Sequence, residues 1–166
     1  MVREEPTNTR LQNNLQPVIV EAVRNILIHE RRKFLLFERF GFDIAVFVQR
    51  RSETAVRLLE VKVFAGSRPA GIGFGGQKGQ GLQVERLATP TSHLDLLDAT
   101  VGWVYTDATK AHGSERYALF RPSVAKAATM GGVVREKRHN LRISELRDYL
   151  VSWTRLCEQL EEFLVA

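Results

Sequence analysis

The stretch GFDIAVFVQRRSETAVRLLEVKVF, residues 41–64, decides the fold. It contains two runs rich in β-branched and aromatic residues, FDIAVFVQR at 42–50 and TAVRLLEVKVF at 54–64, parted only by Arg51, Ser52 and Glu53. Runs of this composition read as strands, and so short a connection joins them as an antiparallel pair. FLLFERF at 34–40 lies just before them, separated by Gly41, so a three-strand meander is expected. In the middle run Phe42, Ile44, Val46 and Val48 alternate with Ala45 and Phe47. Neither face is polar, as suits a strand inside a sheet. Asp43 is the one exception.

Upstream, PVIVEAVRNILIHERR at 17–32 carries Ile19, Ala22, Val23, Ile26 and Leu27 at helical intervals, with Pro17 near the start, where its missing N–H costs least. Residues 1–15 are polar and without a sustained period, and read as a loose arm before a single domain spanning 16–166. Downstream, residues 65–81 hold seven of the twelve glycines and are expected to be largely loop. A short helical stretch is expected near 82–98, followed by strands at VGWVYTD (101–107) and ERYALF (115–120). From Ser144 to Leu164, Leu146, Leu150, Trp153, Cys157, Leu160 and Leu164 recur at helical spacing. That pattern predicts a long amphipathic helix with Ser144 as its cap.

At 166 residues and 44% hydrophobic content, the chain can bury one substantial core but not two. The formal charge of +5 favours polyanionic partners. Cys157 is the sole cysteine, which excludes an internal disulfide and a multi-thiolate metal site. No run approaches the roughly 18 apolar residues of a membrane span, and the opening residues lack a secretory apolar segment, so a cytoplasmic protein is expected. His29, His93, His112 and His139 show no metal-ligand spacing. Gly71, Gly73 and Gly76 satisfy G-x-G-x-x-G, but the match lies well past its preceding strand and opens no helix, so a dinucleotide fold is rejected.

Side chains two apart on a strand share a face, so Glu60 and Lys62 point together. In the hairpin, Asp43 near the start of one strand meets the end of the other at their level. Three charges beside so much valine, leucine and phenylalanine are costly unless paired or bound to metal. Two neighbouring carboxylates repel unless a cation lies between them. Mg²⁺ resolves that conflict, because it takes oxygen ligands and commonly binds through one or two carboxylates plus substrate phosphate. Mn²⁺ is the expected substitute.

The strings GFDIAVFV and LLEVKVF resemble the core of the PD-(D/E)xK nuclease superfamily. The resemblance implies an α/β fold with a restriction-endonuclease-like αβββαβ core, a mixed central sheet flanked by helices. It further implies DNA phosphodiester hydrolysis, with Asp43 and Glu60 as metal ligands and Lys62 as the catalytic lysine. Glu21 stands in the first helix where many members place an additional acidic ligand. Phe42 departs from the pattern by replacing the proline before the aspartate. Arg68, Gln77, Lys78 and Gln80 of the glycine-rich loop, together with Gln83, are candidate contacts to the nucleic-acid backbone. Double-strand cutting would call for a two-fold homodimer, for which the last helix is a candidate surface.

A rival account makes Glu60 and Lys62 an edge-strand ion pair and Asp43 a turn residue, within a non-catalytic nucleic-acid-binding or protein-interaction module of the same fold. Glu38 is a rival acidic ligand, though its position suits a solvated face. Trp103 and Tyr105 fit a strand core better than a base-stacking platform.

Overall fold

A computed structural model of the chain describes residues 8–39, 41–64, 72–73, 91–110, 114–124, 140–141 and 147–166. Helix α1 (Asn8–His29) leads into the meander β1 (Phe34–Glu38), β2 (Ile44–Arg50) and β3 (Glu53–Phe64). Helix α2 (Leu94–Thr100), β5 (Val101–Asp107), β6 (Tyr117–Phe120) and helix α3 (Trp153–Val165) follow. Two short strands, β4 (Ile72–Gly73) and β7 (Asn140–Leu141), pair with each other as a separate two-stranded sheet.

The main sheet runs β1-β2-β3-β5-β6, making β3 its centre. β1, β2 and β3 form the expected antiparallel meander, with Phe34 opposite Val48 and Ile44 opposite Leu59. β3 and β5 are parallel, and Glu60 and Lys62 lie beside Trp103 and Tyr105. Parallel neighbours need a long crossover, and the chain between Phe64 and Val101, ending in α2, supplies it. This is an α/β fold with an open mixed sheet. β5 is buried at every position, as the apolar run at 101–105 suits a strand covered on both faces, and Thr106 and Asp107 are buried with it.

α1 and α3 cover one face. There Val18, Ile19, Val23, Ile26 and Leu27 meet Leu156, Leu160, Phe163 and Leu164 over Ile44, Val46, Val48, Leu59 and Val104. The other face carries a smaller cluster of Phe42, Val101, Trp103, Tyr105, Ala118, Phe120 and Leu150. Glu60 and Lys62 belong to this second face. Cys157 is buried as a small apolar group, and Trp153 packs edge-on against Tyr117 at 5.3 Å. Among the described residues no helix is long and apolar enough to cross a membrane.

Two helix starts differ from expectation. α1 begins at Asn8, inside the segment read as a loose arm, so Pro17 sits within the helix. An interior proline forfeits one backbone hydrogen bond and strains the turn before it, at a cost of about 3 kcal/mol. Burial of Leu15, Val18 and Ile19 against the sheet opposes that cost. At the other end, Ser144 is not the cap of α3. The chain forms a 3-10 turn at Arg147–Tyr149, and Val151 pairs with Tyr117 before the helix can start. Ser152 caps instead, its Oγ accepting the N–H of Arg155 at 3.3 Å.

α1 ends in a Schellman turn, in which Arg32 donates to the Leu27 carbonyl at 2.9 Å and Arg31 to Ile28 at 3.0 Å. Arg31 occupies the left-handed position at φ 51°, where a side chain costs about 1 kcal/mol and glycine does not. Arg31→Gly is therefore expected to stabilise the fold by up to about 1 kcal/mol, measured by urea unfolding.

The last turn of α3 is tied to the sheet by a buried cation. Arg57 Nε donates to the Phe163 carbonyl at 2.7 Å and Nη2 to that of Ala166 at 2.8 Å. Burial, and then the charges of Arg50 and Arg121, bring its pKa down to about 10. It remains cationic at neutral pH.

Candidate active site

β3 runs past the start of β2, whose first paired residue is Ile44 opposite Leu59. Beyond that pair, among the described residues, the backbone of β3 has no strand on its β2 side. Asp43 fills the gap with its side chain, Oδ2 accepting the N–H of Val61 at 2.7 Å. The carboxylate is thereby held at the level of Glu60 and Lys62. Among the described residues Oδ1 takes no hydrogen bond. The turn that delivers Asp43 contains Arg39 at φ 57° and Gly41 at φ 72°, and closes with Arg39 N–H donating to the Asp43 carbonyl at 3.1 Å.

Glu60 and Lys62 lie on one face of β3, with Glu60 Oε2 and Lys62 Nζ 3.8 Å apart. The Lys62 side chain is 25% exposed and that of Glu60 12%. At that separation and partial exposure the pair is loose and contributes on the order of 1 kcal/mol or less, so Lys62 can exchange this partner for a ligand at small cost. Asp43, Glu60 and Lys62 therefore stand at one level of neighbouring chain segments, at the carboxyl end of the parallel β3–β5 pair. Open α/β sheets commonly bind ligands at that end.

Two residues that sequence reasoning left out of the site belong to its surroundings. Gln16 reaches over from α1, its Nε2 donating to the Asp43 carbonyl at 3.1 Å and more weakly to Glu38 Oε1 at 3.5 Å. The signal was present in the sequence, because Leu11 and Leu15 continue the apolar period of α1 back across Pro17 and bring Gln16 into the helix. Tyr105 is the register neighbour of Lys62, and among the described residues its buried hydroxyl has no hydrogen-bond partner. Burial first, and then the charge of Asp107, push its pKa upward. The phenol stays protonated and can donate.

Comparison with protein-family models, curated proteins and solved structures returns no match to this chain.

The remaining candidates fall as follows. Glu21 is exposed on α1, and the α1 side chain seen to reach Asp43 is Gln16. Glu38 is exposed on β1. Trp103 and Tyr105 lie in the apolar cluster of the second face, as their strand pattern suggests. Arg68, Gln77, Lys78, Gln80 and Gln83 lie outside the described residues. Asp107 is occupied in its own turn, where Oδ1 accepts the N–H of Thr109 at 3.0 Å.

Among the described residues no group of three or more His, Cys, Asp or Glu gathers around one point. Asp43 and Glu60 offer two carboxylates, a donor set that suits Mg²⁺ completed by water and a substrate phosphate. It would not suit a thiophilic or imidazole-preferring ion.

Proposed function

We propose that this chain is a Mg²⁺-dependent endonuclease that hydrolyses DNA phosphodiester bonds, built on a restriction-endonuclease-like core. The observation that carries the reading is the Asp43 carboxylate, fixed by the Val61 N–H beside Glu60 and Lys62 at the carboxyl end of the parallel strand pair. The order helix, antiparallel meander, helix and parallel strand agrees with the αβββαβ arrangement that the motif implies. The net positive charge favours a polyanionic substrate.

Asp43 and Glu60 would hold the metal, which when bound supplies an activated water and polarises the phosphoryl oxygen. Asp43 would do so from a preset orientation, since the Val61 N–H already fixes one of its oxygens. Lys62 can release its loose contact with Glu60 and place its ammonium against the developing charge on phosphate, where a fixed cation stabilises the transition state. Gln16 braces the Asp43 backbone. The buried phenol of Tyr105 is a neutral donor beside Lys62.

The apolar face of α3 is committed to the core through Leu156, Cys157, Leu160, Phe163 and Leu164. A homodimer that cuts both strands would therefore use the polar face of α3 or another surface.

A second reading keeps the fold as a non-catalytic nucleic-acid- or protein-binding module. The Asp43–Val61 bond and the Glu60–Lys62 pair favour it, because both are useful to the fold without any metal. The two separate in a cleavage assay on supercoiled plasmid and on single-stranded and branched DNA, with Mg²⁺, Mn²⁺ or chelator. Wild type should cut with either ion and not with chelator, and Glu60→Gln should not cut. If there is no cutting of any substrate, and DNA affinity is indifferent to divalent ions and falls with salt by about 0.9 logarithmic units per phosphate contact, the binding module is correct.

A further inference from the structure

The face of the sheet that carries Glu60 and Lys62 continues across β2 to the outer strand β1. Register places Leu35 beside Phe47 and Phe37 beside Ala45, then Phe47 beside Val56 and Ala45 beside Leu58, two residues before Glu60. Towards β1 this face is open, with Leu35 62% and Phe37 44% exposed. The Phe37 ring meets Phe47 edge to face, centroids 5.9 Å apart and planes at 85°, a contact that engages at most one of its two faces. Trp103 and Tyr105 are buried further along the same face, so Phe37, with the half-buried Phe47 behind it, is the aromatic surface on the β1 side of the site. Neighbouring apolar side chains left in water forgo the gain of burial, and such patches commonly mark binding surfaces.

The charges around the patch select its occupant. The Gln49 N–H donates to the Lys33 carbonyl at 2.9 Å, so Lys33 extends the ladder and by alternation shares the face of Leu35 and Phe37. It is exposed, as is Arg39 just past the other end of β1. Beyond Lys33, at the same end of the sheet, Arg32, Arg50 and Arg51 gather with Glu53 and leave the local field positive. Glu38 alternates to the opposite face, where Gln16 Nε2 approaches it at 3.5 Å. Cations bracketing an exposed aromatic suit a single nucleic-acid strand, whose phosphates meet the charge and whose unstacked bases meet the ring. A duplex keeps its bases inside and offers the ring none. A second copy of the chain fits less well, because antiparallel β1 pairing that sets Leu35 against Phe37 also brings Lys33 of each copy towards Arg39 of the other, and like charges oppose it. We propose that Leu35, Phe37 and Phe47 form a platform on which unpaired bases of a DNA strand stack, so that the substrate class is DNA with a single-stranded segment. The substrate assignment rests on the nuclease reading, whereas the stacking does not. At about 4.8 Å between strands and 3.3 Å per residue, Phe37 lies roughly 12 Å from Glu60, a span of no more than about four nucleotides at 3.4 Å each.

The test uses the full chain in chelator, so that binding is read without cleavage. The probes are fluorescein-labelled oligothymidine, an abasic strand of the same length and a duplex, followed by fluorescence anisotropy. Wild type should bind oligothymidine about tenfold or more tightly than the abasic strand, which carries the same phosphates and no bases. Phe37→Ala should lose most of that difference and bind the duplex as wild type does. Phe37→Trp should keep the difference, and Phe37→Leu, apolar but not flat, should lose it; both retain a large side chain, so the comparison does not depend on the alanine variant folding. Base-dependent binding with no cutting of any DNA would uphold the platform and sink the nuclease reading, and cutting without base-dependent binding would do the reverse. Equal affinity of wild type for oligothymidine and the abasic strand, or a base preference undiminished in both Phe37→Ala and Phe37→Leu, overturns the proposal. So does sedimentation that shows a wild-type dimer dissociated by Phe37→Ala, which would make this face a contact between copies of the chain.

Discussion

Changing Asp43 to asparagine is expected to abolish metal-dependent cleavage while leaving the fold nearly intact, whereas alanine is expected to damage both. The difference follows from the two tasks of the side chain. Asparagine at this position would keep a carbonyl oxygen to accept the Val61 N–H, now met at 2.7 Å by Oδ2, but would bring no charge to a metal. Alanine leaves that half-buried N–H without its partner, which costs about 1–3 kcal/mol. A divalent ion contributes several kcal/mol to the transition state, so loss of a ligand should lower cleavage by about a hundredfold or more. Urea unfolding and a plasmid-nicking rate measured on the same preparations read the two effects separately. If the asparagine variant cuts at the wild-type rate, Asp43 is only a brace for β3.

Phe163→Ala should produce the largest loss of stability. The ring is buried in the main core, with the Arg121 guanidinium 4.0 Å and the Arg57 guanidinium 5.5 Å from its centroid. Truncation opens a cavity and removes the aromatic face from two cations. A buried phenylalanine to alanine change costs about 3–5 kcal/mol, against a total stability of about 5–15 kcal/mol for an ordinary domain. Urea unfolding should show a much lower midpoint with an unchanged slope. A loss below about 1 kcal/mol would mean that the α3–sheet contact around Phe163 is not formed as described.

The central meander was legible in the sequence because its information is local. Strand composition and the three-residue connection at 51–53 suffice to pair β2 with β3, and the period of two then brings Glu60 and Lys62 to one face. The burial of β5 was legible for the same reason, its residues 101–105 being an apolar run. What local pattern could not supply was the balance between a local cost and a distant gain. Pro17 reads as a helix start, yet the apolar contacts of Leu15 and its neighbours carry the helix through it. Leu150 shares the period of α3, yet the pairing of the next residue, Val151, with Tyr117 holds the chain out of the helix there.

The candidate site divides in the same way. Asp43, Glu60 and Lys62 are close in register and could be placed from the hairpin alone. Gln16 depended on how far α1 extends, and Tyr105 on β5 lying parallel beside β3, a crossover pairing that no local pattern specifies. Arg32 is well separated in sequence from Arg50 and Arg51. Their convergence with α3 needs the tertiary fold.

Nicking of supercoiled plasmid in Mg²⁺ by wild type and by Lys62→Ala, each first shown to be folded by its thermal melt, tests the proposed centre most directly. If Asp43, Glu60 and Lys62 form a nuclease site, wild type nicks, chelator stops it, and the folded variant is slower by about a hundredfold or more. Equal nicking by the two proteins, or none by either, would contradict it.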